Sequence, residues 1–262
     1  MQYRIDSKTE NSLYFLEIVE EKSARITRHV LSVEITKSSQ IQPSSKRPVC
    51  YGHITIKVHY LSGPSQQAGT QICLMGGHVD STSNMARLTN GNLVIENQAL
   101  RGLGLGSYLF NIIVTWILSF EVDFDIVPVR LFAGDAYPGN LERRNRFYEK
   151  FGLQFDYQTG SGSMQTHGLS LPMKASGLVS LAMIPQGLYP HSLDWLAKEF
   201  KFILSLPLDN ASSQGRNRPP AFDEADPMPG PRFSLIEKLI YCLLLPAIFC
   251  LGFSLGKILS HF

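Results

Sequence analysis

The chain has 262 residues, 44% of them hydrophobic, enough to bury a core and too mixed for a collagen-like, coiled-coil or wholly disordered protein. Its 24 basic and 22 acidic residues leave a net charge of +2, which argues against capture of nucleic acid by bulk electrostatics; any polyanion it holds is held locally. The four cysteines (Cys50, Cys73, Cys242 and Cys250) and the seven histidines follow no metal-ligand spacing, so neither a disulfide scaffold nor a metal site is expected.

Residues 1–10 mix charged and polar side chains and hold no apolar run of signal-peptide length, which places the folded part in a reducing, cytoplasmic compartment. Residues 13–19 and 25–35 read as strands of a hairpin, followed by a polar connection at 38–48. In 51–60 the alternation is clean, with Ile54, Ile56 and Val58 on one face and Thr55, Lys57 and His59 on the other: a half-buried strand. Strands at 71–79 and 93–95 come next, the second leading through Asn97 into Arg101-Gly-Leu-Gly-Leu-Gly106.

A long helix is expected over 105–120, with Ser107, Asn111, Thr115 and Ser119 on a polar stripe and Leu109, Ile112, Ile113, Trp116 and Ile117 buried. After it the sequence predicts a strand at 127–132, a turn at 137–140, a helix at 141–151 and strands at 153–157 and 168–173. Strands interleaved with two central helices imply a mixed α/β (α+β) domain. Residues 191–204 form an amphipathic helix, and 208–231, rich in proline and poor in apolar residues, is a flexible linker. Residues 239–256 are uncharged and mostly apolar; as a helix rising about 1.5 Å per residue they reach roughly 27 Å, enough to span a bilayer when Lys238 and Lys257 snorkel. A buried C-terminal helix is the alternative. Gly252 and Gly256 form a G-x-x-x-G spacing, which leaves a homodimer open.

The glycine-rich turn carries the chemistry. Gly102, Gly104 and Gly106 place a row of backbone N–H groups at the positive end of the helix that starts at Leu105, an arrangement that binds phosphate; a tight turn packed for its own sake is the plainer reading. A dinucleotide-binding loop fits poorly, because Gly102-Leu-Gly104 is followed after two residues by Ser107, and Asp123 and Asp125 precede the next strand where that fold wants an acidic residue at a strand's end.

Together with Asn145-Arg-Phe-Tyr-Glu-Lys-Phe-Gly-Leu153, this loop resembles the signature of GNAT acyl-CoA-dependent N-acetyltransferases over roughly residues 50–160. Arg101, Gly104 and Gly106 match the family's R/Q-x-x-G-x-G/A loop, and Phe147, Tyr148, Glu149, Lys150 and Gly152 match its F-Y-E-K-x-G phrase, with Leu153 in place of the last aromatic. The resemblance implies a largely antiparallel mixed sheet flanked by helices and a site for acetyl-CoA as acyl donor, with no metal. Its pyrophosphate would lie on the backbone of Arg101, Gly102, Leu103, Gly104, Leu105, Gly106 and Ser107, and its pantetheine arm against Ile95, Glu96 and Asn97. Tyr148 is implied as the acid that protonates the departing thiolate, or as a positioning aromatic. Glu96, where relatives carry an apolar residue, is the candidate base for the amine, directly or through water, or else a partner for a nearby buried donor.

The sequence departs from the family pattern at the residue seven before the tyrosine, which is Leu141, with the expected asparagine one place early at Asn140. Arg143, Arg144 and Arg146 either reach the 3′-phosphate of coenzyme A or form a solvated basic face. On this reading residues 1–49 complete the sheet, 50–175 form the coenzyme-binding core, 176–207 a C-terminal extension, 208–233 a linker, and 234–262 a membrane segment with a short tail. The expected protein is an N-acetyltransferase facing the cytoplasm from a membrane and acting on an amine the sequence does not identify. A non-catalytic acyl-CoA-binding module of the same fold is the alternative.

Overall fold

Alternating β-branched and aromatic residues in the N-terminal part of the chain fold as an antiparallel meander of four strands: β1 (Asp6–Lys22), β2 (Arg25–Gln42), β3 (Val49–Ser62) and β4 (Gln71–Asp80). The computed structural model describes residues 6–22, 25–42, 49–90, 94–136, 139–158 and 166–205, and the chain divides into two units, 1–191 and 192–262. Ile54, Ile56 and Val58 of β3 are fully buried while Lys57 and His53 are exposed, as the alternation predicts. Each such aliphatic side chain taken out of water contributes about 1.5–3 kcal/mol.

After β4 come β5 (Met85–Arg87), a 3-10 turn at Gln98–Leu100, helix α1 (Leu105–Leu118), β6 (Asp125–Ile126), β7 (Arg130–Leu131), helix α2 (Leu141–Glu149), β8 (Phe155–Gln158), β9 (His167–Ser170) and β10 (Leu188–His191). Seven strands form one sheet in the order β10-β1-β2-β3-β4-β5-β6, and three form another in the order β7-β9-β8. All pairings are antiparallel except β5 with β6. The architecture is therefore mixed α+β, with a large, mostly antiparallel sheet and helices against it.

Two glycines set how closely α1 approaches the sheet. A Cβ on Gly77 would lie 2.8 Å from Ile113 Cγ2, and one on Gly52 would lie 3.1 Å from Trp116 Cζ2. On another side α2 docks through aromatic rings, with Phe110 at 5.1 Å from Phe147 and 4.7 Å from Phe151, ring centre to ring centre. Covered by both, α1 buries Leu105, Leu109, Phe110, Ile113, Val114, Trp116 and Ile117, while Ile112 is only partly buried.

Several elements differ from the sequence reading. The polar connection expected from residue 38 is strand as far as Gln42: Ser38, Ser39 and Gln40 pair with Thr9, Lys8 and Ser7 of β1, so ladder hydrogen bonds hold a stretch with no apolar face. The strand expected at 127–132 is instead β6 and β7, on either side of Pro128, which has no N–H to give a ladder. Of the strand expected at 93–95, the described residues 94 and 95 are not strand, although Glu96 N–H bonds Ile72 O of β4 at 3.0 Å. β5 and β10 are too short for a periodic signal. In the unit 192–262, residues 192–205 are described and contain helix α3 (Leu193–Ser205), with Asp194 in its first turn, where a carboxylate suits the helix dipole. Among the described residues no helix is long and apolar enough to cross a membrane; the expected linker and the apolar segment 239–256 lie outside them.

Candidate functional site

The glycine loop lies on the connection between β5 and α1, and α1 leads on to β6. β5 and β6 pair in parallel only at Met85↔Asp125 and Ala86↔Ile126, extended by Val127 N–H to Ala86 O at 2.9 Å. From there one arm stays with the large sheet, through Glu96 on Ile72, and the other leaves it through β7, which pairs with β9.

Asn97 ends the first arm as N-cap of the 3-10 turn, its Oδ1 accepting Ala99 N–H at 3.0 Å. Arg101 turns back and donates from Nε to Ile95 O at 2.7 Å, so residues 95–101 close on themselves. Gly102 (φ +87°) and Gly104 (φ +84°) both adopt the left-handed conformation. Gly104 is the N-cap of α1; no side chain caps that end, and its first turn carries no acidic residue. The first helical bond there is Tyr108 N–H to Gly104 O at 2.9 Å, so the amides of Leu105, Gly106 and Ser107 precede the ladder. The positive end of a fourteen-residue helix is thus left without an anionic side chain of its own.

The three glycines are not equivalent. A Cβ on Gly102 would meet nothing within 4 Å, and one on Gly106 would lie 3.8 Å from Phe147 Cε2, an ordinary contact. On Gly104 it would lie 2.5 Å from Pro185 Cβ. The segment that carries Pro185 is tied to α1 by Asn111, whose side chain donates to Leu181 O at 3.1 Å and accepts Leu181 N–H at 2.7 Å. Between this segment, Ile18 and Val19 of β1, and Gly102 to Gly104 lies a cleft of about 270 Å³, also bordered by Gln186.

Tyr148 is packed on α2 against Phe110, Phe147 and Phe155, at ring-centre distances of 6.2, 4.9 and 5.6 Å. Burial pushes its phenol up to about 12, against a smaller opposing pull from the Arg144 guanidinium, so at neutral pH it carries its proton. Glu96 has other surroundings. It is exposed, on the arm beside β4, where its charge joins burial in pushing the buried Cys73 thiol up to about 12.

The three arginines of α2 are engaged locally. Arg144 donates to Phe132 O at 2.7 Å, Thr166 O at 3.1 Å and Asn145 Oδ1, pinning α2 to the ends of β7 and β9. Arg143 donates to Asn140 Oδ1 at 2.6 Å, and exposed Arg146 pairs with Glu142 at 2.5 Å. Asn140 also donates to Asp135 O at 2.6 Å, so both ends of its amide serve the start of α2.

The structure therefore brings Ile95, Asn97, Arg101 and the loop as far as Ser107 together at one helix end, with Phe147 of α2 near Gly106, and gives Glu96 and Asn140 separate surroundings. Sequence reasoning missed Pro185 and Gln186, and also Ser65, which accepts from Asn97 Nδ2 at 2.9 Å across 32 residues of chain. No local pattern announces such long-range partners. Among the described residues no cluster of histidine, cysteine or carboxylate side chains is suited to a metal ion. Comparison with protein-family models, curated proteins and solved structures gives no match to this chain.

Proposed function

We propose that residues 50–175, with the N-terminal strands, form a GNAT-type domain that binds acetyl-CoA and transfers its acetyl group to a primary amine. The observation that carries this reading is the uncapped, non-acidic N-terminus of α1, reached through two left-handed glycines on the connection that leads from β5. Backbone N–H groups of 102–107 would hold the pyrophosphate, and the pantetheine arm would follow the edge of residues 95–97. The strand order supports the same reading, since α1 links the parallel strands β5 and β6, and β9 lies between β7 and β8.

In the chemical step the neutral amine attacks the thioester carbonyl carbon, the C–S bond breaks as the tetrahedral intermediate collapses, and the thiolate takes a proton. Tyr148 is the candidate for that last role: its phenol carries a proton at neutral pH, although burial, which pushes it up to about 12, makes it the weaker acid. The proton lost from the amine goes to Glu96 or to water. A second reading, a module that binds acyl-CoA without turnover, draws support from the different surroundings of Glu96 and Tyr148 and from the engagement of Asn140 by Asp135 and Arg143.

Tethering to a membrane through residues 239–256, with the domain on the cytoplasmic side, remains part of the proposal on the strength of the sequence alone and would restrict acceptors to those near that surface. Release of free coenzyme A thiol from acetyl-CoA, followed with a panel of primary amines and the full-length chain, tests the activity. Amine-dependent release supports the enzyme, and tight coenzyme binding without release across the panel supports the binding module.

A further inference from the structure

A buried polar chain runs from the large sheet to the glycine loop. His29 of β2 is 1% exposed and Tyr60 of β3 is fully buried, with His29 Nδ1 and Tyr60 Oη 3.0 Å apart. Ser65, in the connection between β3 and β4, donates to the same phenolic oxygen through its N–H at 3.1 Å and its hydroxyl at 3.2 Å. The Ser65 oxygen accepts in turn from Asn97 Nδ2 at 2.9 Å. Asn97 is itself buried and caps the turn that delivers Arg101 and the loop.

The Ser65 N–H donates to the Tyr60 oxygen; with the Ser65 hydroxyl donated there as well, the phenol proton is left for His29 Nδ1, an arrangement that goes with a neutral imidazole protonated at Nε2. Burial holds the His29 pKa below its ordinary value, against a smaller upward pull from Glu20, which agrees with the neutral form. The surroundings are closely fitted: a Cβ on Gly63 would fall 2.2 Å from Tyr60 Oη and 2.9 Å from His29 Nδ1. Tyr60 is also anchored through its backbone, its N–H on Thr70 O at 2.9 Å and its carbonyl accepting Gly69 N–H at 2.7 Å.

We propose that Tyr60, Ser65 and Asn97 are positioning residues for the glycine loop: the hydrogen-bond chain from His29 sets the backbone amides of 102–107 in place before the phosphate-bearing ligand arrives. The ligand part of this inference rests on the reading of the loop as a coenzyme A site. The mechanical link is short. Asn97 begins the turn, Arg101 closes it on Ile95 O, and Gly102 follows directly, so a displacement of Asn97 is carried into the loop. Donors fixed in advance cost the ligand no ordering on binding, and loosening them weakens binding without removing any atom that touches the ligand.

The test uses the full-length chain with Tyr60→Phe and Ser65→Ala, each of which removes a single hydroxyl, and Ser65→Thr, which keeps it. Hydrogen exchange of the amides of 98–107 is compared with that of β4, and coenzyme A affinity is measured by calorimetry. Either deletion is expected to speed exchange in 98–107 about tenfold while leaving β4 unchanged, and to weaken coenzyme A by about three- to tenfold. The double variant is no worse than the worse single variant, because one chain has been cut twice, and Ser65→Thr stays close to the parent. Unchanged exchange in 98–107 in both deletions, or an equal rise in β4, overturns the proposal. If the parent chain does not bind coenzyme A, the functional reading fails and the exchange result alone decides the positioning role.

Discussion

The contrast between Gly104 and Gly106 is the sharpest consequence of the loop geometry. In Gly104→Ala the new Cβ sits 2.5 Å from Pro185 Cβ, on a backbone at φ +84°. The left-handed conformation costs alanine about 1–2 kcal/mol, and the overlap with a ring that cannot swing aside adds about 1–3 kcal/mol. Together they predict a loss of about 2–5 kcal/mol, or a fall in Tm of roughly 4–20 °C for a unit of this size. Gly106→Ala meets only Phe147, at 3.8 Å and inside a helix, where alanine is favoured over glycine by up to about 1 kcal/mol. Its Tm should hold or rise by a few degrees. Adding Pro185→Gly to Gly104→Ala removes the overlapping carbon but not the backbone strain, so the pair should recover the overlap part alone, about 1–3 kcal/mol. Urea and thermal unfolding of the parent and the three variants, followed by circular dichroism, measure all of this. A harmless Gly104→Ala, or a Gly106→Ala as damaging as it, would refute the assignment of different roles to the two glycines.

Three other consequences concern α2 and the buried histidine. Tyr148→Phe keeps the ring among Phe110, Phe147 and Phe155 and should lower acetyl transfer about a hundredfold or more, with coenzyme affinity nearly unchanged; undiminished turnover removes the phenol from the chemistry. Arg144→Lys loses the fork that reaches Phe132 O, Thr166 O and Asn145 together, and should destabilise the unit by about 1.5–3 kcal/mol in urea; a loss below about 0.5 kcal/mol contradicts the bridging role. Because burial lowers the His29 pKa, the unfolded chain takes up its proton first as pH falls through about 6.5, so His29 costs stability below that pH. His29→Gln should flatten this part of the stability profile, and a profile identical to that of the parent contradicts the neutral, buried assignment.

Hydrophobic periodicity made β3 and α1 legible, because each has a face that must be buried, and the turn chemistry of Arg101 to Gly106 pointed to the helix start at Leu105. Residues 6–10 and 38–40 carried no such signal, since their strand state comes from ladder bonds between two polar segments. Pro128 explains why an apparently continuous strand is shared between two sheets. Asn111, expected on a plain polar stripe, instead holds the backbone of Leu181 seventy residues away, and through that segment sets which loop glycine has no room for a side chain. A separation of 32 residues likewise hides Ser65 from Asn97. What the sequence read least well is therefore what tertiary packing adds to the loop: its far wall at Pro185 and its support from β3.

The claim on which the functional account depends is that the N-terminus of α1 receives the phosphates of coenzyme A. Titrating acetyl-CoA and coenzyme A into the full-length chain and into Ser107→Glu tests it most directly, because a carboxylate in the first helical turn favours the helix while repelling a phosphate there. The expected result is saturable binding to the parent, and a variant that is at least as stable yet binds at least tenfold more weakly. A folded parent that binds neither ligand, or a variant that binds as well as the parent, would contradict it.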